Sequence, residues 1–555
     1  MATDYDAIVV GSGAGGGVVA GVLAANGWKV ALVEKGRNPW PALDAPELRG
    51  SLFGNDEVKI ARFFAWQDPL VEPRRFRDSP TGEFRTREFQ SLGVCVGGGT
   101  VQYDADSPRV TSRDLTLLTS FGAVEGADVV DWPLTYAELA PYFDETERLI
   151  GVQGLAGADP FAEPRGPYPM PPGYPAKADL VLFEAAKAMG YHPHPMPIAV
   201  NSIFYRGRPA CVNCGFCHGG CPINAKGSTA VTAIRDALRT GNCTLLDQCC
   251  VTRIDTDETG GHATGVRLVD RAGATKTITA RHVVVGCNAI ETPRLLLESG
   301  SPQHPDGLGN GSGLVGRHLM FHVVFSVAGF FDIPIRSYRG RIITKAMADF
   351  TVKPADAGPD WVRGGYVEFG GQIQPVEYGK SVPWPVHRQV VVPGRERTRI
   401  TTISMMGEDV PVHANRVELD PDVKDVWGRP VPRVTYVRHP HDQRMIDLYM
   451  PRMRAVMEAA GAVETIDMDM AGYYGAPDTK HLLGTTRMGS DPARSVCDPW
   501  GRLQGVDNVW IADGSTWPTS AAYNPVLTQQ ALAYRTAARM VRPEDPAGVL
   551  PKGGE

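Results

Sequence analysis

Hydrophobic residues change their period several times along this chain, and the first change is the most informative. Ala7-Ile8-Val9-Val10 is a continuous apolar run of strand length after Asp6, broken by Gly11-Ser12-Gly13-Ala14-Gly15-Gly16. Apolar residues then recur at helical spacing as far as Asn26-Gly27, and Trp28 to Val33 is strand-like again, ending at Glu34. The expected order is strand, glycine turn, helix, strand. Residues 37–90 carry Pro, Arg and aromatics without a sustained period and predict an irregular excursion. Residues 155–177 are rich in Pro and Gly and read as a connector. Helices are predicted over residues 180–189 and 228–240, the second stopping at Gly241. Alternation returns over 251–254, 264–269 and 282–286, with a turn at Thr259-Gly260-Gly261, and predicts a small meander leading into a buried strand. Residues 288–300 follow directly as a strand-to-helix crossover, with Pro293 suited to an early helical position and Gly300 to the stop. From about 318 to 465 β-type segments dominate, including 341–350, 366–373 and 399–406. The tail after Arg542 is expected to fray.

The opening unit carries chemistry as well as shape. Gly11 permits the tight turn, Gly13 lets backbone approach a pyrophosphate, and Gly16 lets the helix pack closely on the strand. The helix start offers N–H groups and positive dipole to phosphates. Glu34, about twenty residues on, stands where an acid would meet a ribose hydroxyl. The unit is read as dinucleotide-binding. Gly97-Gly98-Gly99, followed by Thr100 and flanked by apolar residues, removes side chains where backbone would touch a flat or phosphorylated ligand.

At 555 residues the chain is too long for one ordinary core, so two or more domains, interleaved or in series, are expected. A formal charge of -6, with both signs mixed along the chain, gives no basic field and excludes nucleic acid as a partner. No apolar run is long enough for a membrane span; the longest, 319–331, is interrupted by His322 and Ser326. No signal peptide is visible, so a cytoplasmic location is expected, the alternative being export with a signal-bearing partner subunit.

Four of the ten cysteines, Cys211, Cys214, Cys217 and Cys221, fall in a C-x2-C-x2-C-x3-C-P run, the spacing of ferredoxin-type ligands. No second cysteine group exists to share the last ligand, which leaves a three-iron cluster, a four-iron cluster or an empty loop. Reduced structural thiols, zinc and disulfides are the other readings. The remaining six are scattered, mostly in apolar contexts, and read as buried thiols.

The motif set resembles the glucose-methanol-choline (GMC) flavoprotein oxidoreductases. It is carried by the N-terminal glycine turn with Glu34, the Gly97-Gly98-Gly99 run, residues 289–300, Gly316-Arg317-His318-Leu319-Met320, residues 481–489 from His481 to Gly489, and residues 508–527 with Asp513-Gly514 and Asn524-Pro525. The closest motifs are those of the sugar dehydrogenase, pyranose oxidase and long-chain alcohol oxidase branches.

The resemblance implies an α/β fold, a Rossmann-like FAD-binding domain interleaved with a substrate domain on a mainly antiparallel sheet. The expected parts are 1–155, 206–317 and 471–542 for FAD, the last also catalytic, with 156–205 as connector and substrate-domain segment, 318–470 as substrate domain, and 543–555 as tail. It implies FAD, with Asp513 and Gly514 along the ribityl-diphosphate, the backbone around Val251 near the adenine, and His481 and Asn524 before the flavin. Gln102 stands where one branch has a flavin-linking His, so non-covalent FAD is expected.

The implied function is oxidation of a CH–OH group of a sugar, glycoside or similar alcohol. His481 takes the hydroxyl proton, Asn524 orients the hydroxyl and the flavin N5 takes the hydride. Asn524-Pro525 also reads as N-cap and first residue of a helix whose dipole would face reduced flavin. Some sugar dehydrogenases of the family carry a three-iron cluster on a matching segment, with ligands corresponding to Cys211, Cys217 and Cys221. A non-NAD acceptor is therefore expected, such as a cytochrome or small subunit. The alternatives are an oxygen-using oxidase, a long-chain alcohol or sterol as substrate, a non-catalytic flavin subunit, and a lyase or isomerase.

Overall fold

The structure is a computed structural model that describes residues 3–38, 67–86, 92–215, 217–337, 339–354, 358, 361–371, 399–469 and 480–550. Tyr5–Val10 is a strand, Ala14–Ala25 a helix and Val30–Val33 a second strand. They form part of a parallel sheet in the order Cys243–Leu246, Val30–Val33, Tyr5–Val10, Thr275–Val285, Val509–Ile511. The runs are continuous in Val, Ile, Ala and Leu because both faces are covered. Thr275–Val285 is long enough to do two jobs. Its second half pairs with Tyr5–Val10, and its first half closes an antiparallel meander with Ala263–Asp270 and Cys249–Thr256.

Helical expectations hold in kind and shift in detail. The predicted helix 180–189 runs Lys177–Ala188. The predicted helix 228–240 is broken at Thr232: a 3-10 turn, Thr229–Val231, precedes Ala233–Arg239. The reason is local, since Thr229 is held by Thr100 Oγ1 (3.0 Å to its N–H) and its own Oγ1 donates to Ser12 O (3.1 Å). The crossover helix spans Asn288–Glu298, so Pro293 lies inside it and not at its start. Asn288 begins the helix early because Asp513 accepts its N–H (3.0 Å) while its own Oδ1 receives the N–H groups of Ile290 and Glu291 (2.9 and 3.2 Å). Beyond Arg542 the chain makes a further 3-10 turn, Pro546–Val549. Much of the excursion expected over 37–90 lies outside the described residues, as do residues 372 and 373 of the expected β-segment 366–373.

The second layer is a six-stranded antiparallel sheet, ordered Ala462–Asp469, Val323–Phe331, Ile400–Gly407, Gly365–Phe369, Lys345–Met347, His194–Pro195. One face is apolar: Phe325, Val327, Val367 and Met405 pack on Met445, Tyr449, Met453 and Met457 of the helix Pro440–Ala459. Strand alternation turns the intervening residues the other way. Register then lines up His194, Ala346, Glu368, Ser404 and Ser326 in one row across the opposite face. A smaller four-stranded sheet joins Arg416–Lys424 and Pro430–Thr435 to Arg75–Arg77 and Arg85–Thr86.

A buried ion triad ties the layers together. Arg363 pairs with both Asp114 and Glu408, and Glu408 Oε1 also receives Ser520 Oγ (2.8 Å) and the Ala521 N–H (3.0 Å). Removing one member strands the other charges in a dry interior. Arg363→Met is expected to destabilise the fold by about 3–5 kcal/mol, seen as a lower denaturation midpoint than that of the native chain. Equal midpoints would refute this role.

Candidate functional site

Close approach defines the N-terminal loop. Gly11 has φ +90°, and a Cβ there would strike the Gly286 carbonyl. A Cβ on Gly15 would fall inside the Ala512 carbonyl, so the helix start abuts the segment leaving Val509–Ile511. Gly13 and Gly99 differ: a Cβ on either would meet no protein atom within 4 Å. The helix Ala14–Ala25 has no side-chain cap, which leaves its first-turn N–H groups to an anion. This is a cradle that a phosphate-bearing ligand fits.

Ser12 connects three of the predicted pieces. Its N–H and Oγ donate to Glu34 Oε2 (3.0 and 2.6 Å), and its Oγ accepts the Gly97 N–H (3.0 Å). Glu34 Oε1 takes the Gly36 N–H (2.8 Å), so both its oxygens are engaged by its own loops, and burial raises its pKa. Thr100 Oγ1 closes the glycine run onto Gly97 O (2.6 Å). Cys249, two residues before Val251, donates its N–H to Glu34 O (3.0 Å). Asp513 is fixed by Thr292 Oγ1 (2.6 Å) and the Ser515 N–H (2.8 Å), and Gly514 O accepts the Gly484 N–H (3.0 Å). The segment carrying His481 therefore runs beside Asp513-Gly514.

Leu483 also exchanges both backbone hydrogen bonds with Met320 (2.9 and 3.0 Å). That pairing brings His322 against His481, Nδ1 to Nδ1 at 2.9 Å with rings nearly perpendicular. His322 Nε2 lies 3.0 Å from Ser520 O, an acceptor only, so Nε2 carries the proton. Burial lowers the pKa of His322 well below its usual value, keeping the ring neutral, so its Nδ1 must accept. His481 Nδ1 then donates, which puts the basic lone pair of His481 on Nε2. Burial lowers His481 to about 4, with nearby Asp104 working in the opposite sense.

Asn524 is 7% exposed and meets the Glu368 carboxyl; its Oδ1 has no hydrogen-bond partner. The expected cap is displaced by one residue: Pro525 is the N-cap and the helix is Val526–Val541. Asn524 is thus not the cap, consistent with its amide being turned to Glu368. Burial pushes Glu368 up to about 8, with Asp104 adding to the rise. Asp106 is also raised well above its usual value, by burial first and then by Glu368 and Asp104. Asp104 thus acts on His481, Asp106 and Glu368, and Glu368 in turn meets Asn524.

Sequence reasoning missed His322, Asp104, Asp106 and Glu368. His322 was detectable only as the polar break in an apolar run, and Glu368 only as the acid within a β-segment.

The four clustered cysteines line one small cavity together with Lys226 and Arg341. Burial raises the thiol pKa of Cys211 and Cys217. Lys226 donates to Val101 O, Tyr103 O and Cys217 O (2.9, 2.8 and 2.6 Å), bridging the cavity to the loop after the glycine run. Among the described residues no three His, Cys, Asp or Glu side chains are grouped to hold a metal ion. The thiols share a cavity, and their arrangement does not by itself fit a cluster. Nor is any helix among the described residues long and apolar enough to cross a membrane.

Comparison with known proteins identifies the surroundings of this site. Family models for the N- and C-terminal parts of GMC oxidoreductases match residues 125–324 and 411–533. The chain is 33% identical to 2-methyl-1,2-propanediol dehydrogenase of Mycolicibacterium austroafricanum over 96% of its own length and 94% of that protein. It is 33% identical to paromamine 6'-oxidase of Streptomyces fradiae, covering 96% and 90%. It is 28% identical to the fructose dehydrogenase large subunit of Gluconobacter japonicus, covering 96% and 97%. Among solved structures, pyridoxine 4-oxidase from Mesorbium loti has the same fold, with a TM-score of 0.63 at 19% identity, covering 97% of this chain and 99% of that one.

Proposed function

The chain belongs to the GMC oxidoreductase family, and on that premise we propose that it is an FAD-dependent enzyme that oxidises an alcohol CH–OH group with His481 as the base. The observation that carries this reading is the hydrogen-bonded series Ser520 O, His322, His481, which sets the basic lone pair on His481 Nε2. Bound flavin supplies the hydride acceptor for the carbinol hydrogen. The chain supplies the rest. His481 Nε2 takes the hydroxyl proton, and Asn524 holds the hydroxyl through its side-chain amide. Gly11, Gly13, Gly16, Glu34, Gly97, Gly98, Gly99, Thr100, Val251, Asp513, Gly514 and Pro525 would line the cofactor, held non-covalently.

Relatives named for a diol, an amino sugar and a sugar support a small polar alcohol. So does the row of His194, Glu368, Ser404 and Ser326 on the sheet face opposite the apolar core, which suits hydroxyl-bearing substrates better than a long hydrocarbon. Anaerobic mixing of the flavin-loaded protein with a panel of polyols and sugars tests the reading. Bleaching of the flavin band supports it; a band unchanged by every alcohol overturns it.

His322 is a positioning residue in this scheme. His322→Leu is expected to lower kcat about 10–100-fold, in the range found when an outer partner that fixes a histidine tautomer is removed, with KM little changed. His322→Gln, which can still offer an acceptor, is expected to recover part of the loss. Equal activity of the Leu and Gln variants would show that only packing matters there.

For the acceptor, a relative named as a fructose dehydrogenase large subunit supports an electron-transfer partner over oxygen, whereas the cavity lined by Cys211, Cys214, Cys217 and Cys221 does not by its own arrangement fit a cluster. A three- or four-iron cluster in that cavity is tested by iron and acid-labile sulfide on anaerobically purified protein. Their absence removes the cluster and makes an oxygen-using oxidase the better reading.

A further inference from the structure

The chain leading into Asn524 is held in an unfavourable backbone shape. Ala521 and Ala522 both have positive φ, +60° and +31°, in the left-handed region that a residue with a Cβ adopts only when its surroundings impose it. Both are buried. Neither is Gly or Asn, so nothing in the local sequence favours this path. Just before them, Ser520 presents the carbonyl that receives the proton of His322 Nε2 (3.0 Å). Residues 520–524 thus carry both the acceptor that sets the His322 tautomer and the amide of Asn524.

Two consecutive acids grip this path. Glu408 and Asp409 directly follow the strand Ile400–Gly407, and each is 1% exposed. Glu408 Oε1 accepts Ser520 Oγ (2.8 Å) and the Ala521 N–H (3.0 Å), while its other oxygen is held by Arg363. Ser520 Oγ in turn accepts the Asp409 N–H (2.8 Å). The Asp409 carboxylate reaches the opposite way. Its Oδ2 accepts the N–H of Phe321 (2.6 Å), the residue before His322, and the Tyr436 hydroxyl (2.9 Å). Farther along, the Tyr366 N–H donates to Ala522 O (3.2 Å), and the Tyr366 and Tyr523 rings pack with centroids 5.0 Å apart. One dipeptide therefore joins the backbone beside His322 to the backbone before Asn524.

Resting on the reading of His481 and Asn524 as the site of alcohol oxidation, we propose that Glu408 and Asp409 are positioning residues for it, holding residues 520–522 in the left-handed path that delivers the Ser520 carbonyl to His322 and Asn524 to the reacting hydroxyl. Both acids act through other groups. A carboxylate oxygen suits the task because it accepts two donors at once, here a side-chain hydroxyl and a backbone N–H. Once the grip loosens, the two alanines relax toward ordinary backbone angles and carry Ser520 O and Asn524 out of place. Such a displacement lowers the rate of the chemical step more than it weakens substrate binding.

The test uses the flavin-loaded full chain, a dye acceptor and the alcohol that bleaches the flavin fastest. Rates are counted per bound flavin, so that loss of folded protein leaves kcat unmoved. Ser520→Ala removes the hydroxyl that joins Glu408 to Asp409 and keeps the Ser520 carbonyl. It is expected to lower kcat about 10–100-fold, as misplacement of positioned groups does, with KM little changed. Adding Ala521→Gly to Ser520→Ala is expected to restore most of that rate, because glycine takes the left-handed path without the cost that alanine meets. Unchanged kcat in Ser520→Ala, or a lowered kcat that Ala521→Gly fails to restore, overturns the proposal and leaves the alcohol-oxidation reading standing. If Ser520→Ala does not fold, Glu408→Gln, alone and with Ala521→Gly, is judged by the same two outcomes. If the native chain turns over no alcohol, that reading fails, and the proposal, with no reaction to serve, fails with it.

Discussion

Replacing His481 by Ala is expected to lower kcat/KM for alcohol oxidation by about 10²–10⁴-fold, the usual worth of a positioned general base, while flavin stays bound. Burial lowers the pKa of His481 to about 4, so the ring is neutral, and able to accept a proton, at every ordinary pH. Because the folded-state pKa is depressed, the neutral base is lost only as pH falls through about 4. The limb of the kcat/KM profile belonging to this group should therefore lie near that pH, with a plateau through neutrality. His481→Ala should abolish the limb along with the rate. A variant that kept native kcat/KM, or a native limb centred near 6.5, would remove His481 from the role of base. The rate is measured with a saturating dye acceptor, so that reoxidation does not hide the chemical step.

The second large effect is structural. Gly15→Ala should prevent stable assembly of the cofactor-binding layer. The new Cβ would sit inside the Ala512 carbonyl, and that carbonyl has nowhere to go. Ala512 N–H is bonded to Val285 O (2.8 Å) within the parallel sheet, and the next residue, Asp513, is held by Asn288, Thr292 and Ser515. Overpacking of this kind costs about 1–3 kcal/mol when neighbours can relax and more when they cannot. We expect little soluble protein, a lowered melting point and no retained flavin. Gly13→Ala is the informative control, because its Cβ meets no protein atom. It should fold normally and lose flavin, since the added methyl occupies space that the proposed pyrophosphate would use. If Gly15→Ala folds like the native chain, the close approach is not a constraint. If Gly13→Ala retains flavin, the cradle does not hold the phosphates.

What could be read from the sequence was what neighbouring residues decide among themselves. The glycine turn, its helix and Glu34 lie within about thirty residues, and the structure forms them as that pattern predicts. The helix after Asn524-Pro525 was also legible, although its first residue is Val526 because Asn524 turns to Glu368. Pro293 was misread because the helix start is fixed by Asp513, more than two hundred positions away. The place of Glu368 beside Asn524 was invisible for the same reason. Glu368 looks like any acid in a β-segment until the sheet register sets it beside Ser404 and opposite Ala346, and until the Asn524 segment closes over it. Four cysteines at ferredoxin spacing announced themselves, yet spacing does not say whether their thiols converge, and in the fold they are distributed around a cavity.

The parallel sheet is assembled from strands near both ends of the chain, with Tyr5–Val10 and Val509–Ile511 flanking Thr275–Val285. The helix Ala14–Ala25 packs in one core with Val526–Val541. A ribosome adding about 5–20 residues per second needs roughly half a minute to two minutes to travel from the first of these strands to the last. Throughout that interval the glycine-rich helix waits without the surface that covers it. Loss of only residues 526–555 would deprive the helix Ala14–Ala25 of that partner.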